Sequence, residues 1–235
     1  MTSYMTFSNP GKNLIVEVDN KQWARYSIKT HFIKVSDNLE NIISKYVLSK
    51  AQNSDIIVLC QKIVSITQGR VVYKKDLKIG FWAKFLSKFA KKTPYGFSVG
   101  NPLKMQLAIN LAGLPWILFA SLCAGLGKIL GISGIFYKIA GHQINQLDGF
   151  YGETFPQYAE IGILGSKDSD KVCQKLKDRF GFSFVIADIN DLGRNIIGKS
   201  QDLKNKENLI SEILKDNPAT QSSVQTPIII IRQTK

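Results

Sequence analysis

Cysteine is scarce. Cys60, Cys123 and Cys173 are the three in 235 residues, and no two lie close together. An odd, scattered set makes neither a disulfide framework nor a zinc motif, and it fits a reducing compartment. Histidine is scarcer still: His31 and His142 stand alone, and an isolated histidine is more often structural than a metal ligand. A Walker-type phosphate loop is missing, because no Gly-rich lead ends in Gly-Lys-Ser/Thr. No charged-then-apolar leader with a small-residue cleavage site opens the sequence, so secretion is not expected and a cytoplasmic location is. Acids are few, with 18 Asp and Glu against 31 Lys and Arg, a formal net charge of +13.

What is present suffices for a stable core. The sequence is 44% hydrophobic and 21% charged, enough for one sizeable core or two small ones without disulfides or a structural metal. Disorder is expected only at the ends. The basic excess favours acidic partners: phosphorylated small molecules, nucleic acid or anionic lipid. It is uneven. Lys74 to Lys92 holds seven lysines and one acid, Asp76, whereas Asp148 to Glu160 holds acids and no Lys or Arg. A basic surface and a separate acidic pocket follow from that split.

Along the chain, Leu14 to Val18 reads as a short strand after a Pro-Gly turn, and Tyr26 to Val35 as a second, β-rich run. Asp37, with Glu40 three residues on, reads as the cap of a helix whose apolar stripe is Ile42, Ile43, Tyr46 and Val47. Ile56 to Cys60 is a buried strand and Val71 to Tyr73 another. Phe81 to Lys92 is amphipathic, with Phe81, Trp82, Phe85, Leu86 and Phe89 on one face and Lys84, Lys88 and Lys91 toward the other. It either packs on the core with a solvated lysine face or lies on an anionic membrane surface. From Lys104 to Lys128 no charged side chain intervenes. That length reaches the roughly 20 residues of a membrane span, but Gly113 and Pro115 interrupt it. Two buried helices or a homodimer interface account for it as well. Ser169 to Arg179 is helical, Phe182 to Ala187 a strand ending at Asp188, Leu203 to Leu214 helical, and Ile228 to Arg232 a last strand.

Three patches carry polar chemistry. In the first, the buried strand delivers Lys62, Ser65, Thr67, Gln68 and Arg70 toward Gly69. Gly permits close backbone approach to a ligand, and Lys and Arg bind phosphate or carboxylate. A polar hairpin with exposed bases is the bland alternative. The second patch is Asn145 to Glu153, with Asp148 inside it. In the third, Asp188 and Asp191 follow an apolar strand, with Asn190 between them. Carboxylates there suit Mg²⁺ or Mn²⁺, although an Asx turn before Gly193 uses the same residues.

Asp55-Ile-Ile-Val-Leu-Cys-Gln-Lys-Ile-Val-Ser65, followed by Gln68-Gly-Arg-Val-Val72, resembles the opening signature of the coenzyme F-420 γ-glutamyl ligases. That signature runs Gly-Asp-(apolar)-Lys-Ile-Val-Ser-Lys-x-Glu-Gly-Arg-(apolar). Asp148 and Asp188 then occur in the order of the family's two later aspartate motifs. The segment Tyr26 to His31, the apolar middle and Asn190 to Gly193 look more like a divergent, ligase-like branch. The resemblance reaches from about Tyr26 to Ser200.

The resemblance implies an α+β fold of two interleaved subdomains and a homodimer. It implies GTP-dependent joining of glutamate to a phosphodiester-containing carboxylate acceptor through an acyl-phosphate, with a divalent metal, Mg²⁺ or Mn²⁺. Lys62, Ser65, Gln68 and Arg70 would meet nucleotide or substrate, and Asp148, Asp188 and Asp191 would hold metal. On this reading residues 1–20 are an N-terminal extension, 21–215 the ligase-like domain, and 216–235 a tail with the last strand.

The sequence also departs from the pattern. Ile66 and Gln68 replace the second Lys and the Glu of the first motif, Gly149-Phe-Tyr151 follows Asp148, and Ile189 follows Asp188. The family's Gly-Arg-Pro-Trp-Arg stretch is absent. Two other readings therefore stand beside the ligase: a non-catalytic homologue that binds phosphate or nucleotide, and a membrane-surface protein using Phe81 to Lys92. Nucleic acid is not an expected partner, because no nucleic-acid motif accompanies the lysines.

Overall fold

In a computed structural model the described residues are 8–90, 99–151, 156–190, 193–220 and 224–234. The chain forms two compact units. The first combines residues 1–69 with 166–235, and the second, 70–165, is inserted between those segments. Each mixes helices and strands, so the fold is α+β, with one part interrupting the other along the chain.

The first unit is built on a six-stranded sheet ordered β1-β2-β9-β3-β7-β8. Its strands are β1 (Ile15–Val18), β2 (Lys21–Ile28), β3 (Ile56–Cys60), β7 (Ser183–Asn190), β8 (Gly193–Lys199) and β9 (Ile228–Gln233). Among the described residues its only parallel neighbours are β3 and β7. Parallel strands need a long crossover. Here it holds the helix α2 (Gln61–Thr67), the whole second unit, and the helix α8 (Ser169–Phe180).

The apolar runs of β3, β7 and β9 are continuous because both faces of this sheet are covered. Trp23, Ile56, Val58, Val185, Ile229 and Ile231 share a core with Leu203 and with Ile210 and Ile213 of α9 (Glu207–Ile213). The alternate residues Ile57, Leu59, Phe184, Ile186 and Ile230 are buried too. Both α2 and α8 pack on β7, and α8 also on β8. The last strand, β9, lies between β2 and β3 in the middle of the sheet.

Two sequence expectations change here. The run from Tyr26 to Val35 is strand only as far as Ile28. The helix α1 (Leu39–Tyr46) is capped by Asn38, not Asp37: the Asn38 side chain accepts from the amides of Glu40 at 2.9 Å and Asn41 at 3.2 Å. Asp37 is occupied elsewhere, accepting from the Lys34 amide at 2.6 Å and lying 3.0 Å from His31 Nε2. One residue's offset separates an N-cap from a turn aspartate, and both residue types suit either place.

The second unit has a three-stranded sheet, β4-β6-β5, formed by β4 (Val71–Tyr73), β5 (Asp148–Gly149) and β6 (Ile161–Ile163). Glycines allow the close pairing of β5 and β6. A Cβ at Gly149, whose φ is +84°, would sit 2.2 Å from the Ile161 carbonyl oxygen, and one at Gly162 would strike the Phe150 ring.

Helices α3 (Phe81–Ser87), α4 (Pro102–Ala112), α5 (Leu114–Ile129), α6 (Ile135–Ala140) and α7 (His142–Asn145) complete the unit around Leu86, Met105, Leu107, Ile117, Ile144 and Phe150. The apolar middle is thus two helices, α4 and α5, broken at Gly113. No single helix among the described residues is long and apolar enough to cross a membrane. Together α4 and α5 have the length and composition of a span, but they are bent by 119°. The aromatic stripe of α3 is not its buried face: Ala83, Leu86 and Ser87 go inside, while Phe81, Trp82, Phe85 and Phe89 are exposed.

Candidate functional site

The first patch leaves β3 as a helix, not as an extended hairpin. β3 ends at Cys60 and α2 begins at Gln61 without a side-chain cap. Its neighbour β7 runs parallel, with Cys60 opposite Ala187, so Asp188 is the first residue beyond that pairing. Burial pushes the Cys60 thiol up to about 11, the charge of Lys62 pulls it down, and the charge of Asp188 pushes it further up. The charges of Lys62 and Asp188 thus both act on one thiol at the carboxyl end of β3. Such strand ends are where open α/β sheets hold ligands.

The other members of the patch serve different ends. Ser65 faces inward from α2, fully buried, with no hydrogen-bond partner for its hydroxyl. Ile66 is buried as well. The Gln68 side chain makes a reciprocal pair with one peptide unit: its Nε2 donates to the Lys167 carbonyl and its Oε1 accepts from the Lys167 amide, each at 2.9 Å. That pair ties the end of α2 to the approach to α8.

Arg70 and Asp148 belong to the second unit, on opposite sides of β6. The Arg70 carbonyl accepts from the Leu164 amide at 3.0 Å, and its Nε donates to the Gly165 carbonyl. Asp148 sits opposite Ile163 on β5, and Val71 sits opposite the same residue on β4. Asp191 lies outside the described residues.

Among the described residues no group of three or more His, Cys, Asp or Glu side chains is placed to hold a metal ion. A cage made by protein alone is therefore not built there. A Mg²⁺ or Mn²⁺ ion that arrives with nucleotide phosphates needs only one or two carboxylates. Asp188, half-buried within β7 and opposite Asn195 of β8, is one carboxylate of that kind.

Sequence reasoning passed over two side chains. Cys60 reads as one more residue of an apolar strand, and only the β3–β7 register sets it opposite Ala187, the residue before Asp188. Lys104 is noted in the sequence only as the boundary of the uncharged run. It is in fact fully buried, its Nζ 5.0 Å from the centre of the Tyr151 ring.

A family model described as F420-0:Gamma-glutamyl ligase matches residues 27–205. No curated protein matches the chain. The matched segment takes in Lys62, Gln68, Arg70, Asp148 and Asp188 and agrees with the reach of the motif resemblance. With most of its length matched in this way, the chain belongs to the F420-0:gamma-glutamyl ligase family.

Proposed function

We propose that the protein is a nucleotide-dependent amide ligase that uses a divalent cation. Family membership indicates γ-glutamyl ligase-type chemistry, and the charges of Lys62 and Asp188, both acting on Cys60, support the finer reading. A carboxylate oxygen of the acceptor would attack the γ-phosphorus of GTP and release GDP. The amine of glutamate would then attack the acyl carbon, expelling phosphate and losing a proton. Catalysis of such transfers rests on positioning and on stabilising charge at the phosphoryl oxygens. Lys62 offers a point charge for them and Asp188 a single carboxylate for the cation. When bound, the cation would neutralise charge on the phosphates.

A second reading, a phosphate- or nucleotide-binding homologue without ligation, is favoured by one observation. Where the family motif has a second lysine and a glutamate, this chain has Ile66 in the core and Gln68 engaged with Lys167. A thermal-shift panel of GTP and ATP with and without Mn²⁺, followed by an assay for nucleotide-dependent glutamate incorporation, separates the two. A shift with turnover supports the ligase. A shift without turnover supports the binding homologue, and no shift overturns both.

A further inference from the structure

Between Asp76 and Asp148 the sequence holds eight lysines, no arginine and no acid. In the second unit, Lys78, Lys84, Lys88, Lys128 and Lys138 are exposed. The same unit also exposes large apolar side chains. On α5, Phe119, Leu122, Leu126 and Ile129 are 50%, 64%, 56% and 82% exposed. Their spacing of three, four and three residues places them along one stripe. The buried side of α5 carries Ile117, Ala120 and Gly127. The helix is therefore apolar on both faces, and only one is covered by the unit's own core. A helix apolar all round belongs in a protein interior or in lipid. A contiguous exposed apolar stripe marks an interaction surface.

Charge chooses the occupant. A second copy of this unit would bring a surface of the same sign, with no acid from the sequence between Asp76 and Asp148 to offset the lysines. An anionic lipid surface meets both features at once: acyl chains take the apolar stripe and headgroups take the ammonium groups. The exposed aromatic residues of α3, Trp82 and Phe85 among them, suit the headgroup boundary. The 119° bend between α4 and α5 suits helices lying in the interface rather than one crossing it.

We propose that the second unit docks on an anionic membrane surface through the outer stripe of α5, held there by its lysines. The test is flotation of the full chain with vesicles of phosphatidylcholine alone and of phosphatidylcholine with phosphatidylglycerol. Binding to the anionic vesicles should exceed binding to the neutral ones at least about tenfold at low salt and weaken as salt rises. Leu122→Asp with Ile129→Asp should abolish flotation while the circular dichroism spectrum is unchanged, because both side chains are already exposed. Lys84→Glu with Lys88→Glu should reduce flotation and flatten its salt dependence. No flotation with either vesicle overturns the proposal. So does flotation of the Leu122→Asp/Ile129→Asp variant at the parent's level. A parent dimer that this variant converts to monomer, without a change in flotation, assigns the stripe to a second copy instead.

Discussion

Arg232 closes a bidentate ion pair on Asp55, with Nε 2.8 Å from Oδ1 and Nη2 2.7 Å from Oδ2. The Asp55 carboxylate is wholly buried and also accepts from the Gln52 amide at 2.7 Å. Arg232 Nη2 donates to the Lys50 carbonyl at 3.0 Å, and the guanidinium lies 5.3 Å from the Tyr26 ring centre. The pair joins the residue before β3 to the end of β9, from distant parts of the sequence. The aspartate that opens the family signature is thus a structural anchor.

Breaking that pair leaves a buried charge without its partner. Arg232→Ala should cost about 3–5 kcal/mol of stability in urea titration. Arg232→Lys should recover only part of this, since an ammonium cannot match both oxygens. An Arg232→Ala midpoint equal to the parent's would show that the pair contributes nothing.

Arg25, which is buried, gives the first unit an acid-sensitive contact. Arg25 sits in β2, donates to the Ile213 carbonyl at 2.9 Å, and pairs with Asp216 through both terminal nitrogens. Burial works to raise the Asp216 carboxyl, but the hydrogen bonds and charge of Arg25 outweigh it and hold the carboxyl below its ordinary range. The folded value is therefore lower than the unfolded one, about 3.9. The stabilisation is complete above that unfolded value and is lost as pH falls through the folded one. Urea midpoints between neutral pH and strong acid should show a decline that Asp216→Asn flattens.

The thiol at the strand end reports on the proposed site without any ligand. Asp188→Asn should lower the pKa of Cys60 below about 11, and Lys62→Ala should raise it. Thiolate absorbance against pH, in a background with Cys123 and Cys173 replaced by serine, reads both shifts. Unchanged titration in both variants would place Lys62 and Asp188 too far from Cys60 to share a site with it.

Much of the fold was legible because it rests on local pattern. The run Ile56 to Cys60 reads as a buried strand, and Ile228 to Arg232 as a last strand. The order of strands was not legible: nothing near Ile228 says that β9 belongs between β2 and β3. β8 escaped notice because Gly193 to Lys199 mixes Gly, Arg, Asn and Lys with its isoleucines. Its pairing comes from β7, not from its own composition. Of the candidate residues, Lys62, Gln68, Arg70, Asp148 and Asp188 were visible as motif positions. That Ser65 points inward and that Gln68 binds Lys167 depends on the helical phase of α2, which a ten-residue polar stretch does not reveal.

The tightest backbone approach in the second unit is at Gly149. A methyl group there meets the Ile161 carbonyl at 2.2 Å, on a backbone with φ of +84°. Gly149→Ala should cost about 2–4 kcal/mol, combining the left-handed penalty with the clash. Thermal denaturation checks it. A cost below about 1 kcal/mol would mean that β5 and β6 separate easily.

Gln68 offers a sharper test, because the family motif has glutamate at its position. The amide meets both sides of the Lys167 peptide group, donating to its oxygen and accepting from its nitrogen. A carboxylate can only accept. In Gln68→Glu the contact with the Lys167 amide survives, but a negative oxygen then faces the Lys167 carbonyl. The variant should lose about 1 kcal/mol at neutral pH. A protonated carboxyl can donate to that carbonyl again, so the folded state favours the proton and the folded pKa of the introduced group rises. By linkage the variant keeps full stability below the unfolded value, about 4.3, and loses it as pH rises through the folded one. Paired urea titrations of parent and variant at neutral pH and near pH 4 should converge at the lower pH. A loss that is the same at both would show that the Lys167 contact does not select glutamine here. A gain in nucleotide-dependent thermal shift from the variant would instead return this position to the ligand site.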